Sequence, residues 1–159
     1  MARAPGRAPP TGAPRDPGAP AAEGPVHEFA LRVYYEDTDL AGVVYYANYL
    51  RFIERGRSEW LREGGVDQLA LQREGLVFVV RRVVADYLAP ARFQDLLRVR
   101  SGPAAPGAAR IVLPQLVLRG DEPLFRAEVT LACINPEGRP QRIPAAVRRA
   151  LGCDISARG

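Results

Sequence analysis

Tyr34–Arg62 reads YYEDTDLAGVVYYANYLRFIERGRSEWLR, and its character changes abruptly part-way along. Three acids fall within four positions, Glu36, Asp37 and Asp39, and a short apolar link carrying Gly42 leads into a segment with a period of three to four. Ala47, Leu50, Ile53, Gly56 or Arg57, and Trp60 recur at the spacing that gathers side chains on one helical face, while Asn48, Arg51, Arg55 and Arg62 fall elsewhere around it. This predicts a helix from about Tyr45 to Glu63, ended by Gly64 and Gly65, since glycine closes a helix at little steric cost. Gly56 inside it costs about 1 kcal/mol relative to alanine, so a close approach to another backbone is expected there. Phe52 and Trp60 read as core.

Outward from this helix the period falls to two. Phe29, Leu31 and Val33 alternate with Ala30, Arg32 and Tyr34, as in a half-buried strand. After a short helix over Val66–Arg73, four more strands are expected: Leu76–Leu88, Gln94–Arg100, Arg110–Arg119 and Leu124–Ile134. The first is valine-rich, with Val77, Val79, Val83 and Ala85 on one face and Leu76, Phe78, Val80 and Val84 on the other, and should be buried in part on both. Pro114 should mark an edge or a bulge. PEGRP (Pro136–Pro140) reads as a turn, and Ala145–Leu151 as a short closing helix. A strand, one long helix and a run of hairpin-linked strands give an α+β domain, a curved antiparallel sheet of about five strands wrapped around the helix. The other sheet face and the edges invite association with a second copy.

The 159 residues leave room for one core, and 47% hydrophobic with 25% charged residues argues against a disordered or fibrous chain. Residues 1–24 are an exception, because Pro, Gly and Ala fill 17 of the 24 positions. They read as a disordered tail without chemistry, leaving 25–159 as a single domain. No apolar run approaches the roughly 18 residues of a membrane span, and Met1–Gly24 lacks the apolar region of a secretion signal, so a cytoplasmic location is expected. In that setting Cys133 and Cys153 should be free thiols. His27 is the only histidine, which excludes a His-rich metal site and most imidazole catalysis. The net charge of +4 divides into +1 for the tail, where Arg3, Arg7 and Arg15 oppose Asp16 and Glu23, and +3 for the remainder. Spread along the chain, it suits a polyanionic small molecule at least as well as a duplex, and no nucleic-acid partner is expected.

The acids sit just ahead of a helix N-terminus, where unpaired N–H groups and a partial positive charge favour negative oxygen. One reading makes them caps and dipole partners. Another makes the pair chemical: a carboxylate attacks a carbonyl or activates water, and a main-chain N–H holds the developing oxyanion, with Gly42 letting the backbone come close without a Cβ. A metal site from Glu36, Asp37 and Asp39 is disfavoured, since no histidine supports it and the glycine pattern is not that of a calcium loop.

Three separated segments carry a resemblance that bears on this choice. RVYYEDTDLAGVVYYANYLRFIERGRSEWLR, FVVRRVVADYLAPARFQDLL and GRPQRIP together resemble, in order, the YbgC-like acyl-CoA thioesterases, relatives of 4-hydroxybenzoyl-CoA thioesterase in the hotdog-fold superfamily. The resemblance covers most of residues 29–144. It implies a hotdog fold that dimerises sheet to sheet, often into tetramers, and hydrolysis of acyl-CoA thioesters without metal or bound cofactor, CoA being part of the substrate. It places Asp39 on the catalytic carboxylate as general base or nucleophile, the Tyr46 backbone N–H on the oxyanion donor, Tyr35 on an active-site tyrosine, and Glu54 on a position lining the acyl pocket. Members commonly carry His where this chain has Tyr46. A main-chain donor survives that change, but proton transfer by an imidazole does not. Asn48 is expected to orient the helix start and to lie by the substrate. Arg81 and Arg82, facing opposite ways in mid-strand, are expected to meet a CoA phosphate or the pantetheine side, with Asp86 or Glu128 as alternative partners. The remaining reading is a non-catalytic hotdog module that binds acyl chains or acyl carrier protein.

Overall fold

The structure is a computed structural model that describes residues 24–153. The tail expected over 1–24 therefore lies, apart from Gly24, outside the described residues. Strand β1 (His27–Arg32) leads through a single 3₁₀ turn (Tyr35–Asp37) to helix α1 (Asn48–Glu63). Helix α2 (Gln68–Arg73) and the long strand β2 (Val77–Tyr87) follow, then β3 (Leu96–Ser101), a two-residue β4 (Ala105–Pro106), β5 (Arg110–Arg119), β6 (Glu122–Ile134) and helix α3 (Ala145–Ala150). All pairings are antiparallel, in the order β1-β3-β5-β6-β2, with β4 beside β5. The sheet thus has six strands rather than about five, because the two-residue β4 is too short to show a period.

α1 lies across β1, β3 and β5. Tyr49, Phe52, Ile53, Gly56 and Trp60 form its buried stripe, and each of the large ones contributes about 2 kcal/mol by leaving water. They meet Val33, Leu97, Val99, Val117, Phe125 and Val129 beneath the first half of the helix, and Ile111, Leu113, Cys133 and Val147 beneath the second. Gln115 is the polar member of this core. Its amide donates to the Ile53 carbonyl (2.9 Å) and Ser101 Oγ (2.7 Å) and accepts from Arg57 (2.9 Å), so both of its polar atoms are used.

Several local expectations change. α1 begins three residues later than the spacing suggested, at Asn48, and Leu50 is exposed while Tyr49 takes the inward position. At Gly56 the close neighbour is a side chain: an added Cβ would stand 2.7 Å from Val99 Cγ1. Pro114 lies in an interior strand with no register shift beside it. Its carbonyl accepts from Gly102 N–H (2.9 Å), so its missing donor faces the gap where β3 has ended and β4 has not begun. β2 forms a free edge and is largely exposed rather than buried on both faces. A register shift at Arg81, between Val80 and Arg82, reverses the alternation, so Phe78 and Val80 share a face with Val83, Ala85 and Tyr87.

Candidate active site

The three acids diverge. Asp37 is buried; its Oδ2 accepts from the Tyr34 N–H (2.8 Å), and its carbonyl accepts from the Tyr45 N–H (2.9 Å) and from Asn48 Nδ2 (2.9 Å). It locks the 3₁₀ turn to the start of α1. Glu36 points outward and is exposed. Asp39 opens a tight turn in which Gly42 N–H returns to its carbonyl (2.9 Å) and Ala41 N–H reaches its Oδ1 (2.9 Å). Gly42 is needed here for its φ of +75°; a Cβ would meet nothing within 4 Å, so close approach is not its reason. One Asp39 oxygen is tethered to the backbone, while the side chain stays exposed on a groove of about 380 Å³ lined also by Val43, Tyr46, Tyr49, Tyr87 and Leu88.

Tyr46 lines this groove too, at the entrance to α1. Among the described residues neither its N–H nor that of Ala47 donates to an acceptor, whereas the next one, of Asn48, reaches the Tyr45 carbonyl at 2.8 Å. The entrance therefore leaves two main-chain donors without an acceptor among the described residues, at a groove that Asp39 also lines, an arrangement that can hold an oxygen as it becomes negative.

The structure brings Asp39 and Tyr46 together and sets the other expected residues around them. Tyr35 is 80% exposed, its ring edge-on to Phe93 (6.3 Å) and outside the groove lining. Asn48 is turned back to Asp37, an orienting contact. Glu54 accepts from Ser58 Oγ (2.6 Å) and belongs to a second cavity, of about 160 Å³, with Arg57, Trp60, Phe78, Val80 and Leu113 among its walls. Arg81 and Arg82 are exposed on the free edge at the bulge, which removes the alternation behind their opposite facing; among the described residues neither forms an ion pair, with Asp86, Glu128 or any other acid. Spacing missed Tyr49 and Tyr87. Both were hidden by phase, Tyr49 by the late helix start and Tyr87 by the bulge upstream of it.

His27 has no place in this site: it stacks on Trp60 (6.0 Å) and meets Glu63 (2.9 Å) at the far end of α1. Both cysteines are free, Cys133 buried and Cys153 partly so. Among the described residues no three His, Cys, Asp or Glu side chains are grouped to hold a metal ion, and no helix is long and apolar enough to cross a membrane.

A long helix wrapped by an antiparallel sheet in this order defines the hotdog fold, and solved structures agree. A probable thioesterase from Bartonella henselae superposes with a TM-score of 0.71 at 41% identity, covering 76% of this chain and 100% of its own. A 1,4-dihydroxy-2-naphthoyl-CoA thioesterase from Synechocystis gives 0.76 at 25% identity, covering 84% and 99%. The chain belongs to the thioesterase-like superfamily, which it matches over residues 33–151. Among its relatives, the acyl-CoA thioester hydrolase YbgC of Escherichia coli O157:H7 is 39% identical over 119 residues, 74% of this chain and 89% of that one. The acyl-CoA thioesterase YbgC of Haemophilus influenzae is 40% identical over 125 residues, 77% and 92%.

Proposed function

We propose that the protein hydrolyses acyl-CoA thioesters to the free acid and CoA, with Asp39 as general base or nucleophile and the Tyr46 N–H as oxyanion donor. Thioester hydrolysis is supported by the YbgC relatives, which carry that activity in their names over most of their length. The observation that carries the site is the pairing of an exposed carboxylate and an open main-chain donor on one groove. As a base, Asp39 takes a proton from water while the hydroxide adds to the thioester carbon. The N–H steadies the resulting oxyanion; the C–S bond then breaks, and the proton passes to the departing thiolate. No metal or bound cofactor enters this scheme.

The remaining residues fit around that centre. β2 is an apolar free edge, with Val80 50% and Val84 45% exposed, and such an edge is a template for another strand. Two copies paired antiparallel along β2 would set the Tyr87 end of one beside the Phe78 end of its partner. The Asp39 groove of one protomer would then adjoin the Glu54 cavity of the other as an acyl pocket. Arg81 and Arg82 on that edge would meet CoA phosphates, Asn48 would act by holding the helix start, and Tyr35 would flank the entrance. A cytoplasmic location suits a CoA-linked substrate, and an acyl carrier protein could deliver the acyl group in place of CoA.

The test is release of CoA from butyryl-, palmitoyl- and benzoyl-CoA by the wild type and by Asp39→Asn. Turnover should fall at least about a hundredfold in the variant, with its melting temperature kept. Undiminished hydrolysis by Asp39→Asn would remove Asp39 from the chemistry, and inertness of the wild type toward every thioester would leave a binding module.

A further inference from the structure

We propose that Tyr87 is a positioning residue for this reaction: its hydroxyl fixes the Tyr46–Ala47 peptide and so aims the Ala47 N–H as a second main-chain donor beside the Tyr46 N–H at the entrance to α1. The inference rests on the reading of the Tyr46 N–H as oxyanion donor. Tyr87 is the last residue of β2, and its Oη donates to the Tyr46 carbonyl at 2.9 Å, a contact across 41 positions of sequence. The preceding peptide is held as well, because the Asn48 N–H donates to the Tyr45 carbonyl at 2.8 Å. Two consecutive carbonyls are thus engaged, and in a trans peptide the N–H points away from its carbonyl. The Asn48 bond therefore orients the Tyr46 N–H and the Tyr87 bond the Ala47 N–H, each directed away from the carbonyl that is held, and among the described residues neither has an acceptor. A carbonyl that accepts a hydrogen bond also polarises its own peptide and strengthens that N–H as a donor.

The phenol is itself well held. Its ring lies edge-on to Tyr49 (5.7 Å), Phe125 (5.0 Å) and Tyr46 (6.2 Å), and Phe125, its cross-strand partner, is fully buried. Although the residue is 50% exposed, partial desolvation, with Tyr46 adding to it, pushes the hydroxyl above the ordinary tyrosine value, so it remains protonated and able to donate through the neutral range. Tyr87 also lines the Asp39 groove, so the clamp and the carboxylate open on the same space. Nothing in the 3₁₀ turn or α1 reaches the Tyr46 carbonyl; the bond comes from the sheet.

Tyr87→Phe removes one oxygen and leaves the ring. With whichever of butyryl-, palmitoyl- or benzoyl-CoA is hydrolysed fastest, kcat should drop about tenfold while KM stays within a factor of about two, and the melting temperature should hold. The same thioester, labelled with ¹³C at the carbonyl and bound to the Asp39→Asn protein, should show its C=O stretch shifted to lower frequency than in solution. The shift should shrink in Asp39→Asn/Tyr87→Phe. Unchanged kcat, an unchanged shift in the double variant, or a loss expressed wholly in KM would each overturn the role of Tyr87. A bound carbonyl identical to the free one in Asp39→Asn itself would instead overturn the oxyanion reading on which the inference rests.

Discussion

Asp37 is buried, taking the Tyr34 N–H with its side chain and the Tyr45 and Asn48 donors with its carbonyl, which commits it to holding the turn. Two positions on, Asp39 has one oxygen tethered to Ala41 and the side chain exposed. The sequence could place acids before a helix, and the family resemblance could select Asp39, but spacing could not say which acid is structural. That choice depends on hydrogen bonds closed within the turn, and EDTD offers either acid the same reach. At Tyr46 the proposed chemistry belongs to the main chain, and the phenol is expendable. Tyr46→Phe should therefore keep kcat within a factor of about three, measured by CoA release. A loss comparable to that of Asp39→Asn would assign the role to the hydroxyl instead.

Among the elements, α1 was legible because its apolar stripe runs through Phe52, Ile53 and Trp60 at a clear helical period, and β6 because Phe125, Ala127, Val129, Leu131 and Cys133 alternate without a break. β2 was half legible: its existence follows from its valines, but one extra residue at Arg81 inverts the phase, and a periodicity reading carries the error to the end of the strand. The β1–β3 edge yields a prediction of its own. Glu28 on β1 receives Arg100 (2.9 Å) and Arg98 (3.0 Å) from β3, and these hydrogen bonds, Arg100 foremost, hold its carboxyl below the ordinary 4.5. A folded-state pKa below the unfolded one means that the unfolded chain takes up the proton first as the solution is acidified. The pair therefore stabilises the fold above about pH 4.5 and loses that contribution as pH falls through the lowered value. Glu28→Gln should melt slightly below wild type at pH 7, the exposure of the pair keeping the effect small. The two melting curves should merge under acid conditions, and a gap that persists there would rule out this ion pair as the cause.

For the whole molecule, the central proposal is a pair of copies joined along β2. It predicts that sedimentation equilibrium will return at least twice the mass of one chain, and a single-chain mass at micromolar concentration would remove the composite pocket. The sequence indicated that edges invite association, but it could not identify the edge, because strand order is set by pairing across distances that local period does not encode. The tail contributes to neither argument.

The two sulfur atoms have a practical meaning for any assay of CoA release. Cys133, on β6, lies sealed in the core cluster that holds Trp60 and Val147, and burial pushes its thiol above the ordinary value; Cys153, also raised by burial but partly opposed by Arg148, stays partly open to solvent. A colorimetric disulfide reagent mixed with native enzyme thus meets one accessible background sulfhydryl per chain. The second answers only when the sheet parts, and its slow labelling serves as a clock for that opening.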